Sequence, residues 1–392
     1  MLVRHQVLLA VCAVGTVIAA LIVVAKASTP DSARERVLLD IRVAMARMTA
    51  GAAGAARDVR TVGWSRRVGS YGLGVALPLN CSGADILQRT KHFVTGSEQN
   101  PCASEAGWLQ MMQAESPTVR DKVFVNVGCW KGYEVLQWLE IWAPHYLAHR
   151  HITRAKWIAA LPPGCGYCGQ CNAPQRTAYL AWDVLREASG TRPAAPRIFA
   201  YEPLRSMQPS LRKLRDTFNL SDHVFFGDSA FGAAVGRGQF PDCPLDREDC
   251  GIDTAVGVER VPVNVTTVDA EFAAHGWGHV DVLSVDTEGN DYPVLMQGAR
   301  ATLSGRHVDV LGFEYHAVGA WRRERLEVMV AQLDAWGYDC WFAGKTGTWR
   351  ITGCWDARFE FHANSRVWCA LRSSRYRWIF ENMRAPFAKL PG

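Results

Sequence analysis

From about residue 105 onward, short uninterrupted apolar runs alternate with longer stretches in which apolar positions recur every three or four residues. A short apolar run predicts a buried strand, and the three-to-four spacing predicts an amphipathic helix. Strands alternating with helices predict an α/β fold with a doubly wound, mostly parallel sheet. The predicted strands are residues 122–127, 197–201, 223–226, 280–285, 308–313, 340–342 and 367–371, and the predicted helices include 210–218, 293–303 and 322–336.

A different pattern stands near the start of the chain, where residues 7–25 contain no charged side chain. A helix of about 19 residues, rising about 1.5 Å per residue, just spans the hydrocarbon core of a membrane. The alternative is a cleaved signal peptide, because the small residues Ala25 and Ala27 offer a cleavage site. Apolar cores of signal peptides run about 7–15 residues, so the length favours a retained single-pass membrane anchor. Both interpretations place the body of the chain in the secretory pathway, in the lumen of the endoplasmic reticulum or Golgi.

Composition divides the chain into three segments. Residues 1–27 are the anchor or signal peptide, and residues 28–85 are predicted to be a helical stem and linker. In the stem, apolar side chains recur at helical spacing from Val37 to Met45, and a stretch rich in Gly and Ala follows. Residues 86–380 hold the alternating strands and helices and form the predicted folded domain, with a Cys-rich insertion at about 140–195.

Sequons and cysteines also favour a luminal domain. Asn80, Asn219 and Asn264 each begin an Asn-x-Ser/Thr sequon, the acceptor sequence for N-glycosylation. Of the 12 cysteines, Cys12 lies in the apolar segment, and the others are enough for several disulfides in an oxidising compartment. Those others are odd in number, so at least one thiol stays free or pairs with another chain.

Two groups of cysteines have informative spacing. Cys243 and Cys250 flank a short polar loop and are predicted to bridge each other. Cys165, Cys168 and Cys171 are predicted to form disulfides, because the chain is expected in an oxidising lumen. The alternative is a zinc site completed by a nearby histidine, since three thiolates at this spacing can occupy three corners of a tetrahedron.

The overall charge gives no indication of a nucleic-acid partner. The formal net charge of +5 is spread along the chain without a block of Lys or Arg. With 48% hydrophobic and 21% charged residues, the composition is that of an ordinary globular protein.

Residues suited to chemistry stand where the predicted strands end, which is where doubly wound sheets bind ligands. Gly128 and Gly132 follow the first strand, and such glycines let the backbone approach a ligand at the start of a helix. Glu202 follows the second strand, where a carboxylate is well placed to accept hydrogen bonds from ribose hydroxyls. Asp286 and Glu288 follow the fourth strand, and two acids this close together favour a cationic or proton-donating partner.

The fourth strand and the residues after it carry a specific motif. The sequence Val-Asp-Val-Leu-Ser-Val-Asp-Thr-Glu-Gly-Asn-Asp at residues 280–291, with Val-Leu and Gly-Ala after it, resembles the hallmark of FkbM-type methyltransferases. The resemblance covers roughly residues 120–372. Further segments follow in the family's order: the Gly128/Gly132 turn, Tyr201-Glu202-Pro203, Thr267-Val268-Asp269, Phe313-Glu314-Tyr315-His316 and Gly337-Tyr338.

This resemblance implies a fold and a cofactor. The expected fold is a Rossmann-like methyltransferase sheet with a late antiparallel strand, and the expected cofactor is S-adenosyl-L-methionine. Glu202 is expected at the ribose of the cofactor and Asp286 at its methionine end. The expected cofactor-binding residues are Asn126, Gly128, Gly132, Glu202 and Asp286.

The resemblance also implies a catalytic group of four residues, Asp286, Glu288, Glu314 and His316. Asp286 and Glu288 are expected to line the acceptor, while Glu314 and His316 stand where a general base would collect the acceptor's proton. His316 is the better base by its ordinary pKa. Two alternatives remain open, a purely structural His316 and a divalent cation held by Asp286 and Glu288, although the prediction itself includes no metal.

The chain departs from the family pattern in three respects. The family usually has Asp where this chain has Asn126, and Ala-Asn where it has Cys129-Trp130. The acid that would face the ammonium group of the cofactor is therefore missing from that position. The separation of Gly132 from Glu202 is also much longer than this unit needs, which locates the predicted insertion.

The sequence thus predicts a membrane-tethered O-methyltransferase that acts on a hydroxyl of a glycan or small molecule. One alternative is a luminal glycosyltransferase that uses Asp286 and Glu288 as a metal-binding acidic motif. The other is a non-catalytic binding module on the same fold, for which Asn126 is the main argument.

Overall fold

Eight strands form one central sheet and three short strands form a second, smaller sheet. In chain order the strands are β1 (Val123–Val127), β2 (Arg197–Tyr201), β3 (Val224–Gly227), β4 (Ala230–Phe231), β5 (Gly236–Pro241), β6 (Arg260–Thr266), β7 (Val280–Val285), β8 (Val308–Tyr315), β9 (Tyr338–Ala343), β10 (Thr348–Arg350) and β11 (Ser365–Leu371). The α-helices are α1 (Ala106–Glu115), α2 (Tyr133–Trp142), α3 (Pro144–His149), α4 (Arg154–Ala159), α5 (Gln208–Thr217), α6 (Val268–Ala274), α7 (Asp291–Pro293), α8 (Arg300–Ser304), α9 (Leu326–Trp336) and α10 (Arg377–Asn382).

The computed structural model describes residues 91, 95–96, 106–116, 121–165, 195–247, 249–252, 257–344 and 347–382. The predicted anchor at residues 1–27, the predicted stem at 28–85 and most of the Cys-rich insertion lie outside this part of the chain. Within the described ranges, no helix combines the length and the apolar character needed to cross a membrane.

The large sheet has the strand order β10-β9-β11-β8-β7-β1-β2-β3. Strands β3, β2, β1, β7 and β8 are parallel to one another. Every residue of β1 and β7 is buried, as expected for central parallel strands covered on both faces. The chain moves outward in opposite directions from the β1–β7 pair, which makes the carboxyl ends of these two strands the topological switch point.

The late strands confirm the predicted antiparallel addition to the sheet. Strand β11 lies between β8 and β9 and is antiparallel to both. Cys340 of β9 and Cys369 of β11 are direct neighbours in this register and form a disulfide. A covalent link therefore joins two strands that are 29 residues apart in the chain.

The predicted bridge between Cys243 and Cys250 is confirmed. Cys165 is also in a disulfide, which agrees with the disulfide interpretation of the Cys-rich insertion at that residue and not with a zinc thiolate. Cys168 and Cys171 lie outside the described residues. Cys129 is a buried free cysteine.

Two local features differ from the sequence prediction. The predicted helix 293–303 is interrupted by a π-helical turn, Val294–Gly298, between α7 and α8. Here Gly298 packs against the backbone carbonyl of Gly232, where a side chain would collide. The small sheet was not predicted, because the β5 sequence is rich in Gly and Pro and forms a strand only by pairing with β6.

Candidate functional site

The predicted site residues meet at the carboxyl ends of β1, β2, β7 and β8. The backbone N–H groups of Gly128 and Cys129 both donate to the carbonyl oxygen of Tyr201, at 2.9 Å. Gly128 has φ +84°, and a Cβ there would collide with the backbone carbonyl of Asp286. Gly132, with φ +66°, precedes α2 directly. Only glycine allows the turn after β1 to lie in contact with the end of β7.

Glu202 links this turn to the end of β2. Its Oε2 accepts a 2.7 Å hydrogen bond from the backbone N–H of Trp130, and its Oε1 accepts one of 2.9 Å from Leu204. The residue is buried, and burial raises the pKa of the carboxyl to about 7, against the opposing effect of the two backbone bonds. Each carboxylate oxygen can accept a further hydrogen bond, so the group can hold the turn and still bind a ligand.

Asn126 is paired with an acid that sequence reasoning missed. Its Nδ2 donates a 2.5 Å hydrogen bond to Oε2 of Glu134, which lies in the first turn of α2. The Oδ1 of Asn126 and the Oε1 of Glu134 are buried without a hydrogen-bond partner. Glu134 thus supplies a carboxylate beside Asn126, where the family usually has Asp. The sequence offered one indication of this acid, namely its position two residues after Gly132.

Arg366 is a second residue that sequence reasoning missed. It lies on β11 directly opposite Glu314 of β8, and its Nη1 contacts Oδ2 of Asp286 at 3.0 Å and Oε1 of Glu314 at 3.5 Å. Its Nη2 donates to the Oγ of Ser284 at 3.1 Å. Arg366 therefore connects the ends of β7 and β8. The sequence did not reveal this role, because Arg366 does not follow the end of a predicted strand as the other site residues do.

The remaining predicted catalytic residues lie beside this ion pair. Potential metal-binding atoms of Glu288, Glu314 and His316 lie within 4.8 Å of one another. Burial lowers the pKa of His316, with the charge of Asp286 opposing that change, so the imidazole is neutral at neutral pH. Burial, followed by the charge of Asp286, raises the pKa of Glu314 well above its usual range.

Asp291, the last acid of the strand-four motif, is buried completely. Burial and the neighbouring charge of Asp286 raise the pKa of its carboxyl to about 7. The site therefore concentrates carboxyl groups that are buried or partly buried, which favours cationic partners or bound protons.

Two glycines hold the loops after β7 and β8 against each other. Gly289 has φ +100° and Gly319 has φ +59°. A Cβ on Gly289 would lie 2.9 Å from the Cα of Gly319, and one on Gly319 would collide with the carbonyl of Gly289. The same carbonyl accepts a 2.7 Å hydrogen bond from Ala320. This contact fixes the position of Glu288, just before Gly289, relative to His316, just before the second loop.

The part of the chain that holds most of these residues matches a known family. Residues 168–340 fit the methyltransferase FkbM domain. This segment of the chain is therefore similar to FkbM methyltransferase domains. The matched range contains Glu202 and all four predicted catalytic residues, but it begins after the Gly128–Gly132 turn and ends before Arg366. It is narrower than the resemblance expected over residues 120–372.

One solved structure is also similar, the crystal structure of methyltransferase FkbM from Methylobacillus flagellatus KT. It is 11% identical in sequence, with a TM-score of 0.33, and the match covers 73% of this chain. The match spans 60% of that protein, which is less than two thirds of its length. No curated protein matches the chain.

FkbM methyltransferases generally use S-adenosylmethionine, and the polar groups of this site fit such a ligand. The unpartnered Oδ1 of Asn126 and Oε1 of Glu134 are acceptors suited to an ammonium group. Glu202 supplies a carboxylate for ribose hydroxyls, and Thr287 has a buried hydroxyl without a partner after β7. These groups surround the β1–β7 switch point, where doubly wound sheets bind nucleotides.

Part of the predicted Cys-rich insertion, at residues 163–164, also contacts the turn after β1. Lys131, which is buried within the turn, donates from Nζ to the carbonyls of Pro163 at 2.9 Å and Gly164 at 2.7 Å. Its ammonium lies 4.3 Å from the ring centre of Trp130. The backbone immediately before Cys165 is thereby held beside the turn after β1.

Proposed function

We propose that this protein is an S-adenosylmethionine-dependent O-methyltransferase that acts on a hydroxyl of a glycan or small molecule. The observation that carries the proposal is the bond from the Trp130 backbone to Glu202. It joins the glycine turn after β1 to the acid after β2 at the switch point, within a chain that is similar to FkbM domains over residues 168–340. That arrangement supports recognition of an adenosine ribose.

The residues divide into a cofactor group and an acceptor group. Glu202 would accept from the ribose hydroxyls, while Asn126 and Glu134 would accept from the ammonium group. When bound, the cofactor supplies an electrophilic methyl group on a positively charged sulfur. The acidic surroundings of Asp286 favour a positive charge there, because opposite charges attract strongly where water is excluded.

Transfer to a hydroxyl requires that its proton be removed as the oxygen attacks. His316 is neutral and lies beside Glu288 and Glu314, and it is able to take that proton. Glu314 lies beside it, and its raised pKa gives it a basicity that an exposed carboxylate lacks. The Asp286–Arg366 ion pair would hold the acceptor side of the site in place.

We further propose that the domain is luminal and tethered through residues 7–25. The disulfides Cys243–Cys250 and Cys340–Cys369 support an oxidising compartment. The sequon residues Asn219 and Asn264 are exposed, as N-glycosylation requires. A retained anchor keeps the chain in the membrane pellet after alkaline carbonate washing, whereas a soluble chain that begins at Ser28 would contradict the tether.

Calorimetric titration of the purified chain tests the activity class. S-adenosylhomocysteine should bind with a 1:1 stoichiometry, and nucleotide-sugars should not. Transfer of labelled methyl from S-adenosylmethionine to hydroxyl acceptors then tests the reaction. Metal-dependent binding of a nucleotide-sugar would instead support the glycosyltransferase, and binding of neither ligand would support a non-catalytic module.

A further inference from the structure

Three side chains, from the loop after β7 and from the carboxyl end of β8, converge into a set of metal-ligand type. Ligand atoms of Glu288, Glu314 and His316 all lie within 4.8 Å of one another. Two ligands bound to one ion at about 2.0–2.2 Å lie at most about 4.4 Å apart. Small side-chain rotations would therefore bring the three atoms to bonding distance.

The burial of His316 is an independent indication of a ligand. The residue is 7% exposed, and its Nε2 is buried with no hydrogen-bond partner. Buried nitrogens of this kind are normally paired, because leaving them unpaired is unfavourable. An imidazole nitrogen enclosed beside two carboxylates is thus well placed to bind a cation.

The backbone holds the set in place before any ligand arrives. Glu288 has φ +53°, a conformation that L residues rarely adopt, and such strain is found mainly at functional sites. The contact between Gly289 and Gly319 fixes the two loops that carry Glu288 and His316. A preorganised ligand set lowers the entropic cost of binding.

We propose that Glu288, Glu314 and His316 bind a divalent transition-metal ion. Carboxylate oxygens suit Mn²⁺ and imidazole suits Zn²⁺ and similar ions, whereas Mg²⁺ and Ca²⁺ take oxygen ligands almost exclusively. This ligand set therefore favours Mn²⁺ or Zn²⁺. It differs from the pair Asp286 and Glu288 considered from the sequence, because Asp286 is engaged by Arg366 at 3.0 Å.

The guanidinium of Arg366 is compatible with an ion at this place. Its distance to Oε1 of Glu314 is 3.5 Å, longer than its contact with Asp286. A carboxylate has two oxygens, so Glu314 can face Arg366 with one and the ion with the other.

The role of the ion in transfer rests on the proposed function. A cation here would lower the pKa of the acceptor hydroxyl. The hydroxyl proton would then be released to solvent, and His316 would serve as a ligand in place of a base. Ion binding itself does not depend on the methyl-transfer activity.

The test is the binding of Mn²⁺ to the full chain after treatment with a chelator. Electron paramagnetic resonance should detect one tightly bound Mn²⁺ per chain, and electron spin echo modulation should detect a directly bound histidine nitrogen. Zn²⁺ should displace the bound Mn²⁺. The absence of a bound ion, or of a nitrogen ligand in the wild-type chain, would overturn the site whether or not any variant folds.

Two substitutions then identify the ligands. Glu288→Gln and His316→Gln should each weaken Mn²⁺ affinity by about 100-fold or more, because even the loss of an outer partner of a ligand costs about 10–100-fold. His279→Asn is the matched control. His279 precedes the amino end of β7, and its Nε2 lies 3.0 Å from a carboxylate oxygen of Asp309. Unchanged affinity in both site variants would place the ion elsewhere.

Titration of the same samples with S-adenosylhomocysteine separates the two proposals. Binding of S-adenosylhomocysteine without any bound Mn²⁺ or Zn²⁺ would retain the proposed function and overturn the metal site. Mn²⁺ binding that depends on Glu288 and His316, without binding of S-adenosylhomocysteine, would support the metal site and contradict the methyltransferase.

Discussion

Gly289 and Gly319 lie in direct contact with no room for a side chain on either, and both have positive φ. Replacing Gly319 with Ala places a methyl group against the carbonyl of Gly289 and separates the loops that carry Glu288 and His316. We expect the free energy of unfolding to fall by about 2–5 kcal/mol, from left-handed strain and forced overpacking together. Urea denaturation measures this loss.

Gly276→Ala is the control for this prediction. Gly276 has φ +58°, almost the same as Gly319, but nothing lies within 4 Å of an added Cβ. The free energy of unfolding of Gly276→Ala should fall by only about 1–2 kcal/mol, because left-handed strain is its one cost. Equal losses in the two variants would show that the contact between the loops does not matter.

Glu202→Gln tests the cofactor-binding group. The substitution keeps one oxygen for a backbone N–H but removes the charge that would face the ribose hydroxyls. Hydrogen bonds to a charged group contribute about 1.5–3 kcal/mol each. Affinity for S-adenosylhomocysteine should therefore fall by about 10- to 100-fold in calorimetry, and Glu202→Ala should lose at least as much.

Asp269→Asn is the control for losing a carboxylate that accepts hydrogen bonds from backbone N–H groups. Asp269 accepts 2.8 Å hydrogen bonds from the N–H groups of Ala301 and Thr302, outside the predicted cofactor group. It should lower thermal stability and leave affinity for S-adenosylhomocysteine unchanged. If both variants bind as tightly as the parent, Glu202 does not contact the ribose.

The pH dependence of stability reports on the same carboxyl. Burial raises the pKa of Glu202 to about 7, so between pH 4.5 and 7 the folded chain binds a proton that the unfolded chain does not. Its contribution therefore favours folding as pH falls through 7 towards 4.5 and disfavours folding above 7, by up to about 3 kcal/mol. Unfolding free energies of wild type and Glu202→Gln, compared at pH 8 and pH 5, isolate this difference. A constant difference between the two proteins would show that Glu202 does not titrate in this range.

Glu134→Gln tests whether this acid replaces the carboxylate missing at Asn126. Without the charge on Glu134, the proposed ammonium site keeps only amide oxygens. Affinity for S-adenosylhomocysteine should fall by about 10-fold, since a charged partner is worth more than 1 kcal/mol beyond a neutral one. Glu140→Gln, on the same helix but paired with Arg154, should bind normally. If Glu134→Gln binds S-adenosylhomocysteine as tightly as the parent, Glu134 does not contact the cofactor.

Asp286→Asn tests the acceptor side of the site. The amide keeps the shape of the side chain but loses the 3.0 Å ion pair with Arg366. Turnover should fall by about 100-fold or more while the chain stays folded, because a positioned carboxylate is lost. Asp309→Asn, which removes the partner of His279 instead, should keep its turnover. Comparison of kcat for the two variants, with circular dichroism to verify folding, decides the matter.

Most of the central sheet was predictable because its strands contain apolar runs, whereas the edge strand β10, with the sequence Thr-Trp-Arg, was not predicted. Strands β2 and β7 begin and end where the sequence predicts, and the acids that follow them are fixed by the parallel register. Residues after neighbouring parallel strands must meet at one edge, so Glu202 and Asp286 could be placed near the Gly128–Gly132 turn without coordinates.

Arg366 and Glu134 could not be found in this way. Arg366 reaches the site because β11 inserts between β8 and β9, a long-range pairing that no local pattern specifies. Glu134 accepts a hydrogen bond from Asn126, and this contact depends on the rotamers of both side chains, which the sequence pattern does not specify. The small sheet escaped prediction for a related reason, since pairing with β6 overrides the poor strand propensity of β5.

Strand β11 also has a consequence for how the chain is made. Among the described residues it is the last strand, yet it fills the space between β8 and β9, which are synthesised earlier. Until β11 arrives, a growing chain presents two unpaired strand edges, which invite aggregation. Asp286 also lacks its ion-pair partner until Arg366 of β11 has been synthesised. Newly made chains should therefore depend on chaperones during this interval, and loss of Ser365–Leu371 should yield an aggregation-prone product in which Asp286 lacks its ion pair with Arg366.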